Sequence, residues 1–234
     1  ILDMNFYVDE IYFYFIYFLL TFAKIFFTKE VFMLVTMKEI LDRAKKDNYG
    51  VTSIMVDRSS LSYEDNIAQT KETVKMCRPL NISVEAELGH VGQSEDYSSD
   101  VSDNFTKPEE VKKFVEETGI DCLAVAIGTA HGRYHGTPHI DFDLLKQITD
   151  VVDIPLVLHG GSGTGDENLR KAVKNGIQKV NLATELVVAG KEELETFIQD
   201  KNFDKWQLIP SFIKGYSDRL EHYVKLFDQE NRAW

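Results

Sequence analysis

The sequence predicts an α/β fold built on a parallel sheet, and three observations carry that expectation. From Met37 onward, short apolar runs alternate with segments of helical period, as strands joined by helical crossovers do. Successive runs start about 24 to 40 residues apart, the length a strand–helix unit needs. Each run is followed by a polar segment bearing Gly or Ser. That places chemistry at the carboxyl ends of the strands, as in barrels and doubly wound sheets.

Taken in order, residues 37–47 (MKEILDRAKKD) read as helix and Val51–Val56 as a strand ending at Asp57. Residues 63–77 read as a helix with Ile67, Val74 and Cys77 on one side, and Ile82–Leu88 as a strand. Residues 89–105 form a polar loop. The next helix opens at Thr106, whose hydroxyl can cap it, with Pro108 in the first turn, and stops at Gly119. Leu123–Ile127 is a buried-type strand, 141–149 a helix, Ile154–Leu158 a strand and 166–174 a helix stopping before Gly176. Lys179–Leu182 is the fifth strand, and helices follow at 185–200 and 211–228.

A chain of 234 residues with 27% charged and 44% hydrophobic residues has ordinary globular composition. Its net charge of −12 repels a phosphate backbone, and no basic stripe offsets it. Nucleic acid is therefore excluded as the main partner. A small anionic ligand stays compatible with an acidic protein, through a locally positive site. Cys77 and Cys122 form no CxxC pair and read as reduced thiols of a cytoplasmic protein.

The first 36 residues are different. They hold 12 of the 27 aromatic residues and an apolar run from Ile11 to Phe27 interrupted by Lys24. About 20 apolar residues are needed to span a bilayer, so the run is a borderline anchor. With its A/T-rich codon types and its start at Ile, residues 1–32 read instead as upstream translation or a fusion scar. A natural start at Met33 or Met37 is then expected, and residues 33–234 form the working domain.

Three motifs carry chemistry. In Val84–Gly89 (VEAELG), strand alternation puts Glu85 and Glu87 on one face. Such a pair is either the solvated face of an edge strand or a site in which cations compensate the carboxylates. AIGTAHG (126–132) and LVLHGGSG (156–163) each place a His before a Gly, just past an apolar strand. A lone His there is usually structural, but two in equivalent places are better explained as ligands of one metal such as Zn²⁺. HGGSG (159–163) ahead of a helix, and NLAT (181–184) at the next strand end, offer backbone and hydroxyl donors to an anion.

Together these segments resemble the class II, zinc-dependent fructose-bisphosphate and tagatose-bisphosphate aldolases. VEAELGHVGQSED, AIGTAHG, GTPHIDFDLL, IPLVLHGGSG and KVNLATEL occur in that family's order and spacing, and MLVTMKEILDRAKKDNYGV resembles its amino terminus. The resemblance covers roughly residues 33–230. It implies a (β/α)8 TIM-barrel ancestry and zinc-dependent reversible cleavage of a ketose 1,6-bisphosphate to dihydroxyacetone phosphate and glyceraldehyde 3-phosphate. It also implies a homo-oligomer without a membrane role. Carried over residue by residue, His131 and His159 match two zinc ligands, and Glu87 matches an alternative ligand. Glu95 matches the mobile acid/base. Gly132, Gly160, Gly161, Ser162, Asn181, Ala183 and Thr184 match the phosphate and substrate cradle, and Asn181 also matches a catalytic residue. His90, His135, His139 and His222 match no role and read as surface or loop residues.

The chain departs from the family at one place. The family ends its third strand with an Asp–His pair, whose His is the third zinc ligand and whose Asp serves the aldehyde. No Asp–His pair occurs here. Residues 48–51 read as the start of the family's first strand and 52–57 as its fourth, which implies an incomplete barrel of five or six strands. Arg58 and Ser60 stand where the family usually has a small residue and a His. The resemblance leaves fructose and tagatose bisphosphate both open.

Overall fold

The computed structural model describes residues 52–92, 104–132, 134 and 138–232, all within one compact unit, Val51–Trp234. The readings at 1–32, 37–47 and 48–51, with Glu95 and His135, lie outside the described residues. Five strands form one parallel sheet in sequential order: β1 (Ser53–Val56), β2 (Ser83–Leu88), β3 (Cys122–Val125), β4 (Leu156–Leu158) and β5 (Ile177–Val180). Among the described residues six α-helices accompany them: α1 (Tyr63–Cys77), α2 (Pro108–Thr118), α3 (Phe142–Thr149), α4 (Asp166–Lys174), α5 (Thr184–Phe197) and α6 (Leu208–Leu226). Every strand-to-strand step is a helical crossover. The five strands therefore advance in one direction as part of a barrel, and the incomplete-barrel expectation holds.

The alternation of side chains sorts the sheet into two faces. Register pairs Glu87 with Ala124, Ala124 with Val157 and Val157 with Lys179, so these four share a face. Glu85 and Cys122 lie on that face as well. The opposite face carries Val84, Ala86, Leu123, Val125, Leu156, Leu158 and Ile177, all essentially inaccessible to water. It is the apolar face that the helices cover, with α1 packed on β2 and α4 on β5. Phe114 of α2 is fully buried and its ring lies 6.3 Å from that of Tyr63 of α1.

Helix ends follow their local chemistry. Ser62 and Asp141 cap α1 and α3 by accepting from Asp65 N and Leu144 N. Gly119 ends α2 in the left-handed region, its N–H returning to Val115 O. Thr106 does something other than cap. The helix starts at Pro108 with no side-chain cap, while the Thr106 hydroxyl donates to Leu88 O and accepts from Ala126 N. It thus stitches the ends of β2 and β3 together, a long-range demand that outranks the local one.

The fifth strand begins at Ile177, two residues before the sequence places it. It starts straight after the Gly176 turn, and a one-residue irregularity lets it pair with β4. Leu156 faces Ile177, but Val157 faces Lys179. Gln178 is the extra residue of a bulge, and its side chain accepts from Leu156 N at 2.7 Å. The last helix begins at Leu208 rather than 211, because Pro210 is tolerated in a first turn where its missing N–H has no partner to lose.

Phe114→Ala should remove about 3–5 kcal/mol of unfolding free energy, because it opens a cavity where α1 and α2 meet. Urea unfolding of wild type and variant, followed by circular dichroism, measures the difference.

Candidate metal and phosphate site

β2 is an interior strand, paired with β1 on one side and β3 on the other. Its carboxylates are accordingly not a solvated edge. Glu85 is 4% exposed and Glu87 is fully buried. Two buried carboxylates on one face cost several kcal/mol each unless partners compensate them. The structure supplies those partners from the next strand ends. His159, just past β4, lies between them, with Nδ1 2.8 Å from Glu87 Oε2 and Nε2 2.9 Å from Glu85 Oε1. Lys179 of β5 completes an ion pair to Glu85 Oε2 at 3.0 Å. Glu87 Oε1 accepts from the Val91 amide at 2.9 Å and from the Ser59 hydroxyl at 3.0 Å.

These partners set the protonation states. Burial disfavours a charged His159, but the hydrogen bonds and charges of Glu85 and Glu87 outweigh it and push the imidazole up to about 9. Burial likewise opposes ionisation of Glu85, yet His159 and Lys179 hold it below the usual carboxylate range. His131 moves the other way: burial and the neighbouring His159 cation lower it, which leaves a neutral ring. Burial and the charge of Glu85 push the Cys122 thiol up to about 11, so it stays protonated and points its S–H at Glu85 Oε2, 3.8 Å away.

His131 and His159 come together as the sequence predicts, with ring centroids 5.6 Å apart. With Glu87 they form a group whose ligand atoms all lie within 4.8 Å of one another. Two imidazoles and a carboxylate are a donor set suited to a divalent transition metal. The residues present therefore fit a metal ion.

The second half of the site lies at the start of α5. The Ser162 hydroxyl accepts from Ala183 N at 3.1 Å and from Glu185 N at 3.4 Å, standing where an anion would meet the first amides of that helix. Gly161 N donates to Asn181 O at 3.1 Å, which holds the HGGSG turn against the end of β5. Gly160 has a positive φ of 65° and packs so closely on Ala130 that a Cβ would strike its backbone carbonyl. Gly132, Ser162 and Thr184 line a cavity of ≈ 260 Å³ together with Tyr134, Glu185 and Arg219. Asn181 presents its Oδ1 to Lys179 Nζ at 2.7 Å.

Several contributors are absent from the sequence reading. Ser59 bridges Glu87 and His90, whose Nδ1 is 2.9 Å from the hydroxyl; His90 is thus part of the site's surroundings and not a plain loop residue. Asp57 follows β1 directly, with its carboxyl lowered: burial would raise it, but hydrogen bonds from Ser59 and the nearby His90 and His159 prevail. The Tyr134 hydroxyl reaches Ala130 O at 2.8 Å and Gly160 O at 3.0 Å, tying the loops after β3 and β4 together. The polar strand-end positions of Ser59 and Asp57 were a usable signal; Tyr134 offered none.

The model of the class-II fructose-bisphosphate aldolases matches residues 35–232. The chain belongs to this family. It is 41% identical over 190 residues to the uncharacterized protein YdjI of Escherichia coli strain K12, covering 79% of this chain and 66% of YdjI, so it spans just under two thirds of that relative. Among solved aldolase structures it is similar to YdjI (TM-score 0.68, 34% identity, 85% of this chain and 67% of that one). It is also similar to a putative fructose-1,6-bisphosphate aldolase from Coccidioides immitis (0.69, 32%, 84% and 69%). A Campylobacter jejuni fructose-bisphosphate aldolase, at 23% identity and TM-score 0.64 over 80% and 63% of the two chains, shares the fold. Among the described residues no helix is long and apolar enough to cross a membrane.

The raised His159 has a consequence for metal-free protein. Its folded value of about 9 lies above the ordinary 6.5, so its contribution to stability is complete below that ordinary value and is lost as pH rises through about 9. Urea midpoints of chelator-treated protein should fall between about pH 6 and about pH 10, and His159→Gln should flatten that slope.

Proposed function

We propose that this chain is a class II ketose-bisphosphate aldolase in reaction type, acting on fructose or tagatose 1,6-bisphosphate, with Zn²⁺ as its metal and weak turnover as it stands. The observation that carries the proposal is the nearness of Glu87, His131 and His159, with the start of α5 close by in the fold. One end binds a metal and the other a phosphate, which is what a phosphorylated ketose requires.

Glu87, His131 and His159 would hold the zinc. Bound there, it would act as a Lewis acid on the substrate's carbonyl oxygen. The rest is work for the chain's own groups. The α5 amides and Ser162 bind the phosphate of dihydroxyacetone phosphate and fix the three-carbon unit. Asn181, with its oxygen turned to Lys179, offers its amide N–H groups to a substrate oxygen and stabilises negative charge that grows there during cleavage. Glu95 is proposed to take and return the carbon-bound proton. The aldehyde half lacks the acid that the family's Asp–His strand provides.

A second reading is an inactive paralogue that pairs with a complete subunit. It is favoured by β1 and β5, each of which has one neighbour only among the described strands, since a strand edge left unpaired invites pairing with another chain.

Dihydroxyacetone phosphate should bind the zinc-loaded chain, and EDTA or His159→Ala should abolish that binding. Cleavage of either bisphosphate should run about 10²- to 10⁴-fold below a complete family member, the usual worth of one general acid. Calorimetry and a coupled assay for glyceraldehyde 3-phosphate measure the two quantities. Zinc-independent binding overturns the proposed site, and an ordinary turnover rate overturns the missing-acid argument.

A further inference from the structure

The group the proposed mechanism uses least is Lys179. Among the described strand residues it is the one lysine or arginine on the sheet face that carries Glu85 and Glu87, and its position depends on a backbone irregularity. In a regular ladder Gln178 would stand opposite Val157, and Lys179 would point to the apolar face. The bulge removes one residue from the count and sets Lys179 opposite Val157, on the face of the carboxylates. Bulges beside sites characteristically re-aim a side chain in this way.

Once there, its ammonium touches two groups: Glu85 Oε2 at 3.0 Å and Asn181 Oδ1 at 2.7 Å. An ammonium only donates. It therefore fixes which atom of Asn181 faces it, and the amide nitrogen is left to face away. It also holds the Glu85 carboxylate by Oε2, which leaves Oε1 to accept from His159 Nε2, 2.9 Å away. Glu87 belongs to the metal-holding group and Glu85 does not. The nitrogen directed at Glu87 is Nδ1, and Nδ1 is the one whose proton a metal would displace. Orientation of a ligating imidazole by a carboxylate on its other nitrogen is a general device for raising metal affinity. Ala124 and Val157 lie between the two strands concerned and are small enough to let the lysine reach across.

We infer that Lys179 is the positioning residue of the site, setting through Glu85 the tautomer in which His159 meets the metal, and setting directly the orientation of the Asn181 amide. The inference rests on the metal-site reading above and adds to it the residue that organises both halves.

Cobalt(II) titration of the full chain, read by its visible absorption and by competition with a chelator, tests it. Lys179→Met should weaken cobalt binding about 10- to 100-fold, the usual cost of losing such outer support, and Lys179→Arg should restore most of it. Lys179→Met combined with Glu85→Gln leaves no buried carboxylate unpaired, so affinity can be read even where Lys179→Met alone does not fold. In ¹⁵N spectra of metal-loaded wild type, the His159 proton should lie on Nε2, and the double variant should lose that preference. At saturating cobalt, dihydroxyacetone phosphate should bind Lys179→Met more weakly than wild type. Wild-type chain that takes up no cobalt overturns the metal-site reading and this inference together. Wild type that binds cobalt while both methionine variants bind it equally well overturns the inference alone. Unchanged dihydroxyacetone phosphate binding overturns the part concerning Asn181.

Discussion

Two carboxylates buried side by side on an interior strand are the constraint on which the site depends. Glu85 and Glu87 cannot remain ionised there without cations and donors, and their compensation comes from the ends of other strands. His159 comes from β4, Lys179 from β5 and Ser59 from the segment after β1. The charge balance therefore holds the carboxyl ends of β1, β2, β4 and β5 to one another, and β3 contributes His131 to the same cluster. Packing on the apolar face explains why there is a sheet. The carboxylates explain why its polar face closes on one point.

The same arrangement leaves His159 and His131 in opposite states. One ring is held as a cation by two carboxylates, and the other is kept neutral by burial and by its charged neighbour. A metal entering between them would replace the proton that His159 carries, so binding and proton release would be coupled. On the other side of the HGGSG turn, amides at the start of α5 donate to the Ser162 hydroxyl, which lines a cavity with Arg219. Asn181 lies on the segment that joins the two regions.

Much of this was legible in the sequence. The order of strands and helices, the pairing of Glu85 with Glu87 on one face, and the meeting of His131 with His159 follow from period and position alone. Ser162 is a partial case: the sequence sets HGGSG ahead of α4, but the hydroxyl meets amides at the start of α5. The errors share one cause: a long-range partner outcompetes the local preference. Thr106 could cap a helix but joins β2 to β3 instead. His90 resembles a loop residue until Ser59, 31 positions away, is brought beside it. Tyr134 carries no motif, and only the neighbouring turns show it as a tie between loops.

By itself the sequence determined the family, the parallel α/β class, the residues of the candidate metal group and the candidate anion-binding turn, because each is written in short segments whose chemistry is local. Tertiary structure decided what surrounds them. It placed β2 in the interior of the sheet, which turned two glutamates from possible surface charges into buried ions. It also put a bulge at Gln178, which turned Lys179 towards them. A bulge is a mismatch between two strands, so neither strand's sequence records it. The face a side chain takes after it is settled only when the strands pair.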